Sequence, residues 1–215
     1  MHRHYSIRTT EAAMIRSGNS GGQSMRSLNN LVVLVSRSGL LFVISTIFAF
    51  GSLFIVFMPI NVVFENLVGA QLFDFQNELT VEQVFTQLPA YTDASRGLYY
   101  AFSFVDFFFP FFASVVLGAA AAFAIRYLST KRYDAINGRN LFALFFIPTM
   151  FDWIENISAL TVINAYPEEL TTVAMILVIA KKGKLATVLT MQLVAWLLLA
   201  MAGLKWIGQK VGLIK

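Results

Sequence analysis

The chain contains no cysteine. That removes disulfide staples, dithiol redox chemistry and thiolate ligation of Fe–S clusters. Histidine is nearly missing as well: His2 and His4 stand in the N-terminal tail, and none falls within an apolar stretch. Bis-histidine haem and histidine-ligated chlorophyll are thereby excluded, and a dinuclear carboxylate centre would lack its usual imidazoles. Charge is scarce too. Only 13% of the 215 residues are Asp, Glu, Lys or Arg, about half the share in an ordinary globular domain, which is roughly 25%. With 57% of residues hydrophobic, lipid is the expected solvent for much of the surface. No metal and no organic cofactor is expected; a bound lipid is compatible with the composition.

Apolar runs long enough to cross about 30 Å of hydrocarbon occur four times, over 39–58, 98–126, 141–163 and 185–207. The expected fold is therefore all-α, an integral membrane four-helix bundle forming one domain over 31–210. Residues 1–30, rich in Ser, Arg and Asn, read as a flexible basic tail that is either cytosolic or a mitochondrial-type targeting segment.

The net charge of +4 is explained by topology rather than by nucleic acid. Arg3, Arg8, Arg16, Arg26, Arg37, Arg126, Lys131, Arg132, Arg139, Lys205, Lys210 and Lys215 fall on one side of a four-span arrangement. Only Arg96, Lys181, Lys182 and Lys184 fall on the other. This positive-inside bias places both termini on the cytoplasmic, matrix or stromal side, in a bacterial or mitochondrial inner membrane.

Between the first two spans lies an outer loop, 59–97, too rich in Leu and Phe to be a free tether. Within it Thr80 and Gln83 form a capping-box signature before Val81, Val84, Phe85 and Leu88, which recur at helical spacing. An ordered outer lid is expected there. Pro59 is expected to end the first helix. In the second span Pro110 follows Asp106 by four residues, so its ring should free the Asp106 carbonyl and kink the helix. Gly118 and Ala122 suit a close helix–helix approach. An interfacial helix is expected over about 168–180, with Lys181–Lys182–Gly183–Lys184 separating it from the fourth span; one long tilted helix is the alternative.

The costliest feature is Asp152–Trp153–Ile154–Glu155–Asn156 inside an otherwise apolar run. A charged group near mid-bilayer costs about 2.5–3.5 kcal/mol on insertion scales, so such groups pair, face a polar cavity or perform chemistry. Helical spacing puts Asp152, Glu155 and Asn156 on one arc, with Thr149 extending it. Asp106, eight residues into the second span, lies about 12 Å from its outer end, and Glu155, Gln192 and Trp196 fall at a comparable depth. The candidate site is therefore Asp106, Asp152, Glu155, Asn156, Gln192 and Trp196, in the outer half of the bilayer. It is either a structural clasp of hydrogen bonds, a ligand pocket, or a place of proton transfer.

From Leu79 to Ile207 the order of features resembles an uncharacterised family of small four-helix membrane proteins. Thr80–Val81–Glu82–Gln83–Val84, Arg96, Tyr99 or Tyr100, Asp106 with Pro110, Asp152-x-x-Glu155–Asn156 and Tyr166–Pro167 carry that resemblance. A looser likeness is to the EXPERA group, which includes emopamil-binding sterol isomerases and sigma-2-type receptors. It implies a hydrophobic, often cationic ligand met by intramembrane acids; the isomerases' transmembrane histidine has no counterpart here.

Two functional expectations follow. The first is a non-enzymatic polytopic membrane protein, an accessory or structural subunit of a larger membrane complex, with lipids and protein partners but no nucleic acid. The alternative is a lipid- or sterol-binding protein, or an isomerase-like enzyme working through the intramembrane carboxylates.

Overall fold

The structure is a computed structural model that describes the backbone of residues 4–212 and the side chains of 21–212. The basic side chains of Arg3, Arg8, Arg16 and Lys215 lie outside the described residues. All regular structure among the described residues is helical, as the composition led one to expect. Helix α1 spans His4–Arg37, where a flexible tail to residue 30 was anticipated. Ser38 leaves the helical region (φ −118°, ψ 106°) and its hydroxyl accepts from the Leu41 amide, so that it ends α1 and caps α2, Gly39–Gly51.

Helix α2 does not stop at Pro59. It passes through a π turn at Ser52–Phe57 into α3, Met58–Val68, giving an unbroken run of 30 residues, Gly39–Val68. Proline supplies no N–H and its ring crowds the carbonyl four residues earlier. The wide turn, in which the Met58 amide reaches back to the Leu53 carbonyl, opens the ladder before the ring arrives. Gly69, at φ 78°, closes the helix in the left-handed conformation.

The lid is ordered. Asn61 Oδ1 accepts from the Leu72 amide (3.0 Å), a short turn covers Phe73–Phe75, and α4 spans Val81–Gln87 with the expected Thr80/Gln83 capping box. Leu72, Phe73, Val84, Leu88 and Tyr91 bury themselves against Phe64, Tyr99 and Phe102.

Helix α5, Asp93–Asp106, and α6, Phe109–Leu128, meet at the two-residue turn Phe107–Phe108, with Pro110 in the first turn of α6. The interruption expected from Pro110 is thus a break, and it leaves Asp106 at a helix end. After α7, Thr130–Gly138, a tight 3-10 stretch covers Leu141–Phe146 and α8 spans Ile147–Ala165. Finally α9 runs as one helix of 40 residues, Thr171–Lys210, so the separate interfacial helix at 168–180 is corrected to the long-helix alternative.

Among the described residues three helical runs are long and apolar enough to cross a membrane: Gly39–Val68, Asp93–Leu128 and Thr171–Lys210. Helix α8 is not among them, because its polar residues lower its hydropathy; its contacts are chiefly with α9. Gly118 of α6 is a true close approach. A Cβ there would lie 3.1 Å from Val32 and 3.3 Å from Phe145, so α1 and the Leu141–Phe146 stretch pack directly on its backbone. Basic groups gather at that end of the bundle: Arg126 donates to the Ser36 carbonyl (3.0 Å) and Lys205 to the Tyr127 carbonyl (2.9 Å).

Candidate functional site

The α8–α9 contact explains why Lys181 and Lys184 do not form a loop. Along α9, Ala174, Leu177, Lys181, Lys184, Val188, Met191, Ala195, Leu198 and Ala202 alternate in steps of three and four. Every one of them is buried or partly buried, the signature of a single packing seam. The two lysines occupy consecutive seam positions, three residues apart, opposite Asp152 and Glu155, also three apart.

Their side chains pair accordingly. Lys181 Nζ donates to Glu155 Oε1 (3.0 Å) and to the Asp74 carbonyl (2.9 Å), and the two side chains are 1% and 0% exposed. Lys184 Nζ reaches Asp152 Oδ1 (2.9 Å), Asp74 Oδ1 (3.2 Å) and Glu155 Oε2. Asn156 holds the third helix: its Nδ2 donates to Asp106 Oδ2 (2.8 Å) and to Asp152 Oδ2 (3.0 Å). Below, Thr149 Oγ1 donates to the Pro110 carbonyl (2.9 Å) and lies 2.8 Å from Ser114 Oγ. Trp153 Nε1 donates to the Phe107 carbonyl (2.9 Å), so the helix break is stitched to α8 by both flanking carbonyls. On the lid side Tyr99 donates to Asp74 Oδ2 (3.4 Å). Burial first, and the Asp74 carboxylate second, push the neighbouring Tyr91 phenol well above its ordinary pKa, which keeps it neutral.

The geometry brings together Asp106, Asp152, Glu155 and Asn156, four of the six residues singled out from the sequence. Gln192 is half-buried in the wall of an adjoining cavity and makes no hydrogen bond to the carboxyls. Trp196 is not in the cluster. Its side chain is 65% exposed, because it sits about 100° around the helix from Ala195 on the seam. Sequence reasoning missed Asp74, Lys181 and Lys184. The signal was available for the lysines, in the unbroken three–four spacing through Lys181 and Lys184 and the matching spacing of Asp152 and Glu155. Nothing local marks Asp74, which a lid turn delivers.

The cluster adjoins a cavity of about 270 Å³. Asp74, Asp106, Asp152 and Lys184 line one end, while Leu117 and Gln192 mark the other; Leu53, Phe57, Phe102, Phe109 and Val188 form apolar walls. Leu53 and Phe57 come from the π turn, an element that often accompanies functional sites. Oxygens of Asp74, Asp106 and Asp152 lie within 4.8 Å of one another, a spacing that could ligate a hard cation. Lys184 already bonds two of these carboxylates, so its ammonium supplies the positive charge there, and a metal ion would have to displace it. Asp106 differs from its neighbours. Among the described residues its one hydrogen bond is from Asn156, and neither lysine reaches it.

Among the described residues these features define an all-helical fold with three membrane-length helices and a lysine–carboxylate network buried where α5, α8, α9 and the lid meet. In comparisons with protein-family models, curated proteins and solved structures, the chain has no significant match.

Proposed function

We propose that this is an integral membrane protein of the bacterial or mitochondrial inner membrane, with α8 as the fourth helix of the bundle, that binds a small amphiphile without transforming it. The observation that carries the reading is the cavity's polarity, ionic at one end and apolar at the other. Asp106 precedes Arg126 by 20 residues and Lys184 precedes Lys205 by 21, about 30 Å of helix in each case, which matches the hydrocarbon thickness. With the basic end at the cytoplasmic or equivalent face, the ionic cluster falls at the opposite boundary of the hydrocarbon. From there the cavity descends toward Gln192, eight residues below Lys184, or about 12 Å. A head group would meet Asp106 and a chain would lie among Phe57, Phe102, Phe109 and Val188.

The charge count selects the head. Four carboxyls, Asp74, Asp106, Asp152 and Glu155, face two ammonium groups, Lys181 and Lys184, a surplus of two negative charges when all are ionised. An amine or a hydroxyl donor complements Asp106; a carboxylate does not. Thermal unfolding in neutral detergent with decylamine, decanol and decanoic acid tests this. Decylamine and decanol should raise the unfolding temperature, decanoic acid should not, and Asp106→Asn should remove the amine's advantage over the alcohol. Equal stabilisation by the acid, or an unchanged amine response in Asp106→Asn, contradicts the reading.

The accessory-subunit reading stands second. It rests on the apolar outer faces of Gly39–Val68 and Thr171–Lys210, since only 17% and 11% of the 18-residue apolar stretch in each is buried within the chain; a neighbouring subunit could cover them as readily as lipid. The isomerase-like alternative would need Asp106 or Glu155 to donate a proton to a bound sterol; Glu155 pairs with a lysine at each oxygen, which leaves Asp106, bonded at Oδ2 alone, as its one candidate donor.

A further inference from the structure

At the opposite, basic end of the bundle a second groove, of about 560 Å³, opens between the α1–α2 junction, α6 and α9. Its floor is Ala120, its walls are Phe42, Phe123 and Leu199, and its rim carries Arg37 and Arg126. We propose that this groove is a binding site for one anionic phospholipid, its phosphate between Arg37 and Arg126 and one acyl chain over Ala120.

Both arginines are positioned but not neutralised. Arg126 is bracketed by its bond to the Ser36 carbonyl (3.0 Å) and by the Phe123 and Tyr133 rings, whose centroids lie 6.0 and 5.9 Å from its Cζ. Arg37 donates to Tyr133 Oη (3.4 Å) and is otherwise exposed. Among the described residues no carboxylate pairs with either; every ion pair there belongs to Lys181 and Lys184. Two guanidinium groups gathered on Tyr133 without counter-charge at a membrane boundary complement a phosphodiester, which Arg binds through paired N–H donors. The apolar part lies deeper, as a lipid requires: Ala120 is six residues below Arg126, about 9 Å along the helix. The site is separate from the cavity at Asp106 and does not depend on what that cavity binds.

The test is native mass spectrometry of the full-length protein in neutral detergent, titrated with dioleoyl phosphatidylglycerol or dioleoyl phosphatidylcholine. One phosphatidylglycerol should remain bound in preference to phosphatidylcholine by roughly tenfold or more. Arg37→Gln with Arg126→Gln should abolish the preference. Ala120→Leu, which fills the floor and keeps both arginines, should lower phosphatidylglycerol retention as far while leaving the unfolding temperature near that of the parent. The soluble head group glycerophosphoglycerol should not compete. Equal retention of the two lipids, full retention in Ala120→Leu, or displacement by the soluble head group would each overturn the proposal.

Discussion

Lys181→Met is expected to lower the unfolding free energy by about 3–5 kcal/mol, the usual loss when one partner of a buried ion pair is removed. The side chains of Lys181 and Glu155 are both shut away from solvent, and methionine matches lysine in length while removing its ammonium. Glu155 would retain Lys184, which places the effect toward the lower end of that range. The loss should reverse in part when Glu155→Met is added, because the orphaned carboxylate, rather than the missing bond, is the main cost. Chemical unfolding in mixed micelles, read by circular dichroism on both single variants and the double, gives the coupling directly. Parent-like stability in Lys181→Met would mean that the pair is solvated and the helices are held elsewhere.

The second large effect is expected at Gly183. A Cβ there would sit 2.6 Å from Phe151 Cε1 and 2.7 Å from Cδ1, so α8 and α9 touch at this level only because residue 183 has no side chain. Gly183→Leu should destabilise the protein by about 1–3 kcal/mol through overpacking, even though leucine is the better helix former. The wedge enters beside Lys184 and Asp152, so it should also pull that 2.9 Å pair apart and weaken amphiphile binding. Phe151→Ala in the same chain should restore most of the loss by making room. Unchanged stability in Gly183→Leu, measured by the same unfolding curves, would mean that the helices are not in direct contact.

Much of this arrangement was legible in local sequence. The Thr80 cap, the interruption at Pro110 and the close approach at Gly118 depend on neighbouring residues or on the size of one side chain, and a sequence displays both. The shared arc of Asp152, Glu155 and Asn156 follows from helical spacing alone. What failed was the reading of charge as a boundary. Lys181–Lys182–Gly183–Lys184 looks like a loop when lysine is assumed to seek water, yet only Lys182 of the three lysines is exposed; the other two are matched by acids on α8. Trp196 failed for a different reason. Equal depth along a helix says nothing about direction around it, and Trp196 falls on the outer face of the seam defined by Ala195 and Ala202. Pro59 shows a third kind of limit, since a proline that terminates one helix can be absorbed in another by a π turn. Asp74 was the least accessible, because a lid turn brings it to the cluster from 107 residues away from Lys181 in sequence.

The central claim is that the cavity beneath Asp106 holds an amphiphile, and occupancy measures it most directly. The protein is purified from membranes in parallel with Ala113→Leu, which fills the cavity wall and leaves the lysine–carboxylate network and the arginine groove untouched. Organic extracts of the two are then quantified by mass spectrometry per mole of protein. The account predicts a species bearing an amine or hydroxyl head, near one equivalent on the parent and absent from Ala113→Leu. A parent that carries no such species, or carries it equally in both proteins, would contradict it.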